Sequence, residues 1–293
     1  MQRRGANELD RAAPGIRRRV VAFAAVLVVL AAGCGSSSKD TAPTEKVLLI
    51  GDSIMDQEGG AAALALRQAG VDAEKIAFWG SGLLTADQYD HGKTRLDGPR
   101  PGSEDIHWLS KAKELVAKDR PRLVVVSMNH NLHSPYPTTA DGREIKDPAS
   151  PEAHVMIQTQ VRALLEILRK HGAKVAFVTP PPDKDEFKPE DNPIWRSIKP
   201  VLDEEHIPII DIAPAVSHNG ARVEALPDCF GREQKIRRIN EPHYERFGAG
   251  LAGTALADGI AKLLGEKLDN GAPGEHPVAL VSTESGEGYW IVQ

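Results

Sequence analysis

The sequence contains few of the residues that specialised, non-globular proteins need. Only two of the 293 residues are cysteine, Cys34 and Cys229, and aromatic residues make up 5% of the chain. Two cysteines exclude a disulfide scaffold, and the scarcity of long apolar runs excludes a polytopic membrane protein. The 41% apolar share, with 26 Gly and 21 Pro, excludes collagen and low-complexity disorder. The length allows one α/β domain or at most two ordinary domains.

Basic residues are scarce outside the N-terminal segment. Residues 1–33 contain six arginines against Glu8 and Asp10, although the whole chain has a formal charge of −5. The remainder therefore has 30 basic and 39 acidic side chains, a formal charge of −9. Nucleic-acid binding depends on clustered Lys and Arg, so this acidic body gives no reason to expect a nucleic acid as partner.

The first 33 residues are typical of a signal peptide. Three arginines at 17–19 precede thirteen uncharged, mostly apolar residues at 20–32, too short a run for the ~20 helical residues that span a bilayer. The run ends in LAAGC, which resembles the lipobox of bacterial lipoproteins. That resemblance implies lipidation of Cys34 and attachment to the extracytoplasmic face of the cell membrane. An uncleaved anchor is the alternative, and the paired arginines also fit a twin-Arg export signal loosely.

From Cys34 onward we expect a polar tether at 34–45, one folded domain at 46–268 that is large enough to carry a catalytic site, and a linker with a hairpin-like tail at 269–293. The domain contains five short apolar runs that predict strands covered on both faces, at 46–50, 75–79, 123–127, 174–178 and 207–211. Helical patterns separate them, which is typical of βαβ units. The sequence therefore predicts a three-layer, doubly wound α/β fold with a flavodoxin-like five-stranded parallel sheet.

The predicted helices carry recognisable start and stop signals. Ser150 and Pro151 form an N-cap and first-turn pair, apolar residues follow at helical spacing, and Gly172 ends the element. Further helices are predicted at 105–118 and 245–264, and an alanine-rich one at 61–68. The last long helix contains the pattern G-x-G-x-x-G at 248–253. It follows no strand, so we interpret it as close helix packing and not as a dinucleotide site.

Ser53 lies just past the first strand, in the sequence LLIGDSI at 48–54. A serine hydroxyl there becomes a nucleophile when a base can take its proton. Three more blocks follow later strands: WGSG at 79–82, SMNH at 127–130 and RRINEPH at 237–243. The set resembles the SGNH or GDSL hydrolase family over about residues 46–264, particularly members that act on acyl groups of extracellular glycans.

The resemblance implies a role for one residue in each block. Ser53 would be the nucleophile and His243 its base, while Gly82 and Asn129 would donate to the oxyanion together with the Ser53 backbone N–H. Such a serine esterase attacks an acyl ester, plausibly an O-acetyl group, through an acyl-enzyme. This chemistry requires no metal or cofactor. The histidines at 130 and 133 are accordingly interpreted as solvated or substrate-lining side chains.

The sequence departs from the family pattern at two positions. SMNH keeps the asparagine of the family's Gly-x-Asn-Asp block but replaces its glycine and aspartate. The residue three before His243 is Asn240, where the family has the triad aspartate. Glu241 can take over that role, Asp211 is a remoter candidate, and a Ser–His dyad is also feasible. Acyl transfer onto a glycan and a non-catalytic binding module remain the alternative functions.

Overall fold

The computed structural model describes residues 43–78, 81, 108–128, 145, 147–182, 189–228, 230–238, 243–268, 280–282 and 288–290. All of them belong to one compact unit, Asp40–Gln293. The predicted signal peptide, the lipobox and most of the tether lie outside the described residues.

Five parallel strands form one sheet in the order β2-β1-β3-β4-β5. Their bounds are β1 Val47–Gly51, β2 Ala73–Ala77, β3 Leu123–Ser127, β4 Lys174–Val178 and β5 Ile209–Ile210. This order confirms the predicted doubly wound, flavodoxin-like sheet. The strand β2 begins two residues before the predicted run, because it pairs with β1 in the register Val47↔Ala73. The predicted fifth run shrinks to two paired residues, opposite Phe177 and Val178.

The two faces of the sheet pack against different helices because successive strand residues point to opposite sides. Val47 and Leu49 of β1 belong to the core on one face, with apolar residues of α1 Ser53–Gln68 and α5 Arg246–Leu264. Leu48 and Ile50 belong to the core on the other face. That second core is completed by helices α2 Trp108–Asp119, α3 Pro151–Arg169 and α4 Pro193–Glu204. The three-layer arrangement is therefore the one that the sequence predicts.

The helices begin where their caps place them. The Ser150 hydroxyl accepts a hydrogen bond from the Ala153 N–H, which confirms the predicted start of α3. Helix α1 is twice as long as predicted: it begins at Ser53 and runs through Gly59 and Gly60, although glycine disfavours helix in isolation. Helix α4 was not predicted, although Asn192 caps it and Pro193 opens it.

The glycines of the G-x-G-x-x-G pattern lie in α5 and allow close packing. A Cβ at Gly253 would lie 2.4 Å from Ala61 Cβ of α1, and one at Gly248 would lie 2.1 Å from the Ile236 carbonyl oxygen. The interpretation as a packing motif is therefore confirmed. Among the described residues, α5 is also the helix long and apolar enough to cross a membrane by composition. Its apolar residues are accounted for by burial against α1 and the sheet.

Short antiparallel pairs complete the fold. They are β6 Ser217–His218 with β7 Ala221–Arg222, β8 Ala225–Pro227 with β9 Glu233–Lys235, and β10 Leu280–Ser282 with β11 Gly288–Trp290. The last pair is the hairpin that the C-terminal tail predicts, in the register Leu280↔Trp290. Its first strand lies beside α1 and α5.

Candidate active site

Ser53 is fixed at the junction of β1 and α1. Asp52 is the N-cap of α1, and its Oδ1 accepts a hydrogen bond of 2.9 Å from the Ile54 N–H. The Asp52 N–H donates to the Ser127 carbonyl oxygen at the end of β3. Ser53 is thus the first helical residue and is only 4% exposed. The N–H of a first helical residue has no acceptor within the helix, so the Ser53 N–H can donate to a bound anion.

Gly51 lets β1 and β3 come close together at this junction. A Cβ on Gly51 would lie 2.1 Å from the Ser127 carbonyl oxygen and 2.5 Å from Met55 Cβ. Both distances are far shorter than van der Waals contact allows. The glycine of the GDS motif is therefore required here by packing between strand, strand and helix, and it determines where Ser53 stands.

His243 meets Ser53 although 190 positions separate them in the sequence. The His243 Nε2 and Ser53 Oγ atoms are joined by a hydrogen bond of 2.9 Å. This distance is within the range in which a base can take a proton from a nucleophile. The structure therefore brings together the two residues predicted as nucleophile and base, at the carboxyl edge of the parallel sheet where such folds bind ligands.

Backbone pairing holds the segment that carries His243. The Arg238 N–H donates to the His243 carbonyl oxygen at 3.0 Å, and the Glu245 N–H donates to the Ile236 carbonyl oxygen at 3.0 Å. Arg237 and Tyr244 form an antiparallel bridge between these two bonds. The four residues 239–242 connect the paired segments. That connection includes Asn240 and Glu241, the two candidates for orienting His243.

Gln57 joins this segment to α1. Its Oε1 accepts a hydrogen bond of 2.9 Å from the Tyr244 N–H, and its Nε2 donates one of 3.1 Å to the Tyr244 carbonyl oxygen. Gln57 was not among the residues predicted from the sequence. The only indication in the sequence was its position one helical turn after Ser53, which places both side chains on the same face of α1. That indication points to a role for Gln57 only when the segment that it contacts is known.

A buried polar cluster adjoins the Ser53–His243 pair. Glu58, Arg237 and Tyr244 are each no more than 1% exposed, and the Arg237 guanidinium lies 4.2 Å from the centre of the Tyr244 ring. Burial, with a contribution from the nearby Asp52 charge, raises the pKa of Glu58 to about 8, although the Ser127 hydroxyl and the Arg237 charge act in the opposite direction. Burial likewise raises the pKa of the Tyr244 phenol above its usual range.

The raised pKa makes Glu58 largely neutral at physiological pH. Asp52 and Arg237 lie near it and act on the pKa of Glu58 in opposite directions. Removing a carboxylate from water is costly, and for Glu58 this cost outweighs the attraction of Arg237, so the interior favours the neutral carboxyl group. Arg237 belongs to the block RRINEPH that contains the predicted base, but nothing in the sequence indicated that Glu58 lies near it.

Several predicted site residues lie outside the described residues: Gly82, Asn129, Asn240, Glu241 and Cys34. Their roles remain predictions, as do the interpretations of His130 and His133. Asp211, the remoter candidate for the acid, is described, and it has a local structural task. Its Oδ1 accepts hydrogen bonds from the Thr179 hydroxyl at 3.0 Å and from the Ala213 N–H at 3.1 Å.

Comparison with known families matches residues 102–259 to the family described as "Protein of unknown function (DUF459)". The match covers more than half of the chain. The chain belongs to the DUF459 family. Within this DUF459 protein the matched range includes His243 and most of α5, whereas Ser53 lies before it. A search of curated proteins gave no match.

Solved structures similar to this DUF459 protein include three whose names describe acyl chemistry. The first is a psychrotrophic esterase from Pseudoalteromonas sp., with 13% identity and a TM-score of 0.48 over 76% of this chain and 100% of that one. The second is the catalytic domain of a peptidoglycan O-acetyltransferase from Streptococcus pneumoniae, with 16% identity and a TM-score of 0.43 over 77% of this chain and 98% of that one. The third is the periplasmic domain of a lipopolysaccharide acetyltransferase from Salmonella ser. Paratyphi A, with 10% identity and a TM-score of 0.48 over 76% of this chain and 85% of that one. Likeness at this level carries no information on activity. The doubly wound five-stranded parallel sheet and the serine at the end of β1 are seen directly in the structure.

Proposed function

We propose that this DUF459 protein is a serine esterase that hydrolyses acyl esters through a covalent acyl-enzyme. The observation that carries the proposal is the 2.9 Å hydrogen bond between Ser53 Oγ and His243 Nε2 at the carboxyl edge of the sheet. Serine hydroxyls are inert unless a base is this close. The placement of Ser53 at a helix N-terminus supports the proposal, because that terminus stabilises negative charge.

The proposed reaction has two steps, acylation of Ser53 and hydrolysis of the acyl-enzyme. Ser53 Oγ attacks the ester carbonyl carbon while its proton moves to His243 Nε2, and the tetrahedral oxyanion accepts hydrogen bonds from the Ser53 N–H and from the predicted donors Gly82 and Asn129. The protonated His243 then gives its proton to the departing alcohol oxygen, which leaves the acyl group on Ser53. Water attacks this acyl-enzyme with His243 again as base, and releases the carboxylic acid and free serine.

Turnover of 4-nitrophenyl acetate by purified protein tests the proposal. Wild type should release nitrophenol, whereas Ser53→Ala and His243→Ala should each lose on the order of 10³-fold or more in kcat, because each removes the covalent step or its base. The matched control is Ser197→Ala, since Ser197 is a buried serine that bonds within α4 and to His154. Wild type without turnover above background would favour a non-catalytic binding module.

The group that orients His243 is also a proposal. We infer that Glu241 accepts the hydrogen bond from His243 Nδ1, because Asn240 brings no charge to stabilise the imidazolium. Glu241→Gln should then lower kcat strongly, and Asn240→Asp should change it little. A large gain from Asn240→Asp with no loss from Glu241→Gln would instead identify position 240 as the orienting residue.

The physiological substrate and the location of the protein extend the proposal. We propose an O-acetylated extracellular glycan as substrate and attachment to the outer face of the membrane through lipidated Cys34. Offering water and a sugar hydroxyl together would separate hydrolysis from acyl transfer by the share of acetylated sugar formed. Mass spectrometry of the membrane-bound protein should show a mature chain that begins at Cys34 with fatty acyl groups attached to it, and a chain that keeps residues 1–33 would show that the N-terminal segment is an uncleaved anchor.

A further inference from the structure

The side chain of Gln57 pairs with both backbone polar groups of Tyr244. Its carbonyl oxygen takes the Tyr244 N–H at 2.9 Å and its amide nitrogen gives a bond to the Tyr244 carbonyl oxygen at 3.1 Å. An amide side chain is one of the few groups that can accept and donate in this side-by-side way. Both bonds go to backbone atoms of Tyr244, so they hold the main chain at this position without involving the tyrosine ring.

The positions of the two partners give this contact its importance. Gln57 lies in α1 one turn after Ser53, and Tyr244 follows His243 directly. A helical turn is rigid on the scale of a hydrogen bond, and so is a single peptide unit. The distance between Ser53 Oγ and His243 Nε2 therefore depends on a short, stiff path that runs through the Gln57 amide.

The backbone–backbone bonds of the segment act on a different partner. The bonds of His243 and Glu245 to Arg238 and Ile236 tie the segment to its antiparallel neighbour and set its conformation. The Gln57 bonds tie it to α1, the helix that carries the nucleophile. Conformation and placement of the base are thus held by separate sets of contacts.

We propose that Gln57 is a positioning residue that holds His243 at hydrogen-bond distance from Ser53. This inference rests on the proposed function, since it concerns the same nucleophile and base. Gln57 acts through His243 and takes no part in bond making. Displacing a catalytic group by about 1 Å can lower the rate about 100-fold, so loss of the Gln57 bonds should lower kcat by roughly 10- to 100-fold.

Gln57→Met tests the inference, because methionine keeps the length of the side chain and removes both bonds. With 4-nitrophenyl acetate we expect kcat to fall by roughly 10- to 100-fold while KM stays within about 2-fold, since both polar atoms of the Gln57 side chain are already bonded to Tyr244. The matched control is Gln68→Met, an exposed glutamine at the end of the same helix, which should leave both constants unchanged. Thermal unfolding of each variant shows whether the fold is retained.

Gln57→Glu provides a second variant of the same shape. Its carboxylate can still accept from the Tyr244 N–H, but its other oxygen faces the Tyr244 carbonyl oxygen and repels it. We expect a loss at least as large as that of Gln57→Met. If Gln57→Met fails to fold, Gln57→Glu gives the same comparison with the shape of the side chain unchanged.

A double-mutant cycle separates positioning from a general structural role. In the His243→Ala background, adding Gln57→Met should change the residual rate by less than about 2-fold, because there is no base left to position. An equal fall in both backgrounds, or unchanged kcat in the single variants, would overturn the inference while the proposed function stands. Wild type without Ser53-dependent turnover would instead overturn the proposed function and this inference with it.

Discussion

At the scale of single residues, the surroundings of Ser53 combine tight packing with buried charge. At Gly51 there is no room for a side chain between the Ser127 carbonyl oxygen and Met55. One carboxylate oxygen of Asp52 accepts the hydrogen bond that caps α1. Glu58, which lies further along α1, is completely buried. A buried carboxyl group of this kind makes the stability of the protein depend on pH.

Glu58→Gln should remove that dependence. The pKa of Glu58 is about 8 in the folded protein and near 4.5 when unfolded, so between these values the folded state holds a proton that the unfolded state releases. The free energy of unfolding of wild type therefore falls as pH rises through this window, by at most about 1.4 kcal/mol per pH unit from this group. The variant has no charge at this position at any pH, so its free energy of unfolding should rise relative to that of wild type from pH 5 to pH 8.

Urea denaturation at pH 5, 6, 7 and 8 measures this difference. The exposed Glu152 at the start of α3 provides the control, and Glu152→Gln should follow the wild-type profile. The difference between Glu58→Gln and wild type should stop growing above about pH 8. Parallel profiles for the two proteins would contradict the assignment of a buried, protonated Glu58.

At the scale of elements, the sequence predicted best the parts whose pattern agrees with their burial. Strands β3 and β4 occupy the predicted residues because their runs are buried and flanked by clear breaks. Helix α3 begins at its predicted cap. The strand β2 was displaced because it is an edge strand whose residues are mostly half-buried, and pairing with β1 sets its bounds more strongly than hydrophobicity does.

Helix α4 and the first half of α1 show why other elements were missed. Pro200 lies inside α4 and two glycines lie inside α1, and residues of both types disfavour helix in isolation. Tertiary packing outweighs these preferences. In α4 the apolar residues Ile194, Ile198 and Val201 are buried against the sheet, and in α1 the glycine at 59 admits the Met55 and Lys75 side chains.

The close contact between α1 and α5 predicts the direction in which Gly253→Ala changes the stability of the protein. Replacing glycine by alanine inside a helix normally stabilises it by about 1 kcal/mol. At Gly253 the added Cβ would lie 2.7 Å from the Glu58 carbonyl oxygen, so Gly253→Ala should instead lower the stability by roughly 1–3 kcal/mol. Thermal or urea unfolding measures the change. A stabilised variant would contradict the close packing of the two helices.

At the scale of the whole molecule, the topology assembles the site. Parallel strands end at one edge of the sheet, so residues far apart in sequence were expected to meet there, and Ser53 and His243 do so across 190 positions. Motif order was enough to predict that pair. It was not enough for Gln57, Glu58 or the packing of Arg237 on Tyr244, because those contacts depend on the depth and rotation of α1, which no local pattern encodes.

The central claim is that Ser53 is a nucleophile activated by His243, and labelling with a fluorophosphonate probe tests it most directly. The probe phosphonylates an activated serine and leaves an ordinary hydroxyl untouched. Mass spectrometry of the intact, wild-type protein should show one adduct on a peptide that contains Ser53. His243→Ala should label far more slowly, and Ser53→Ala should not label at all. Labelling that persists in Ser53→Ala, or wild type that takes up no probe, would contradict the account.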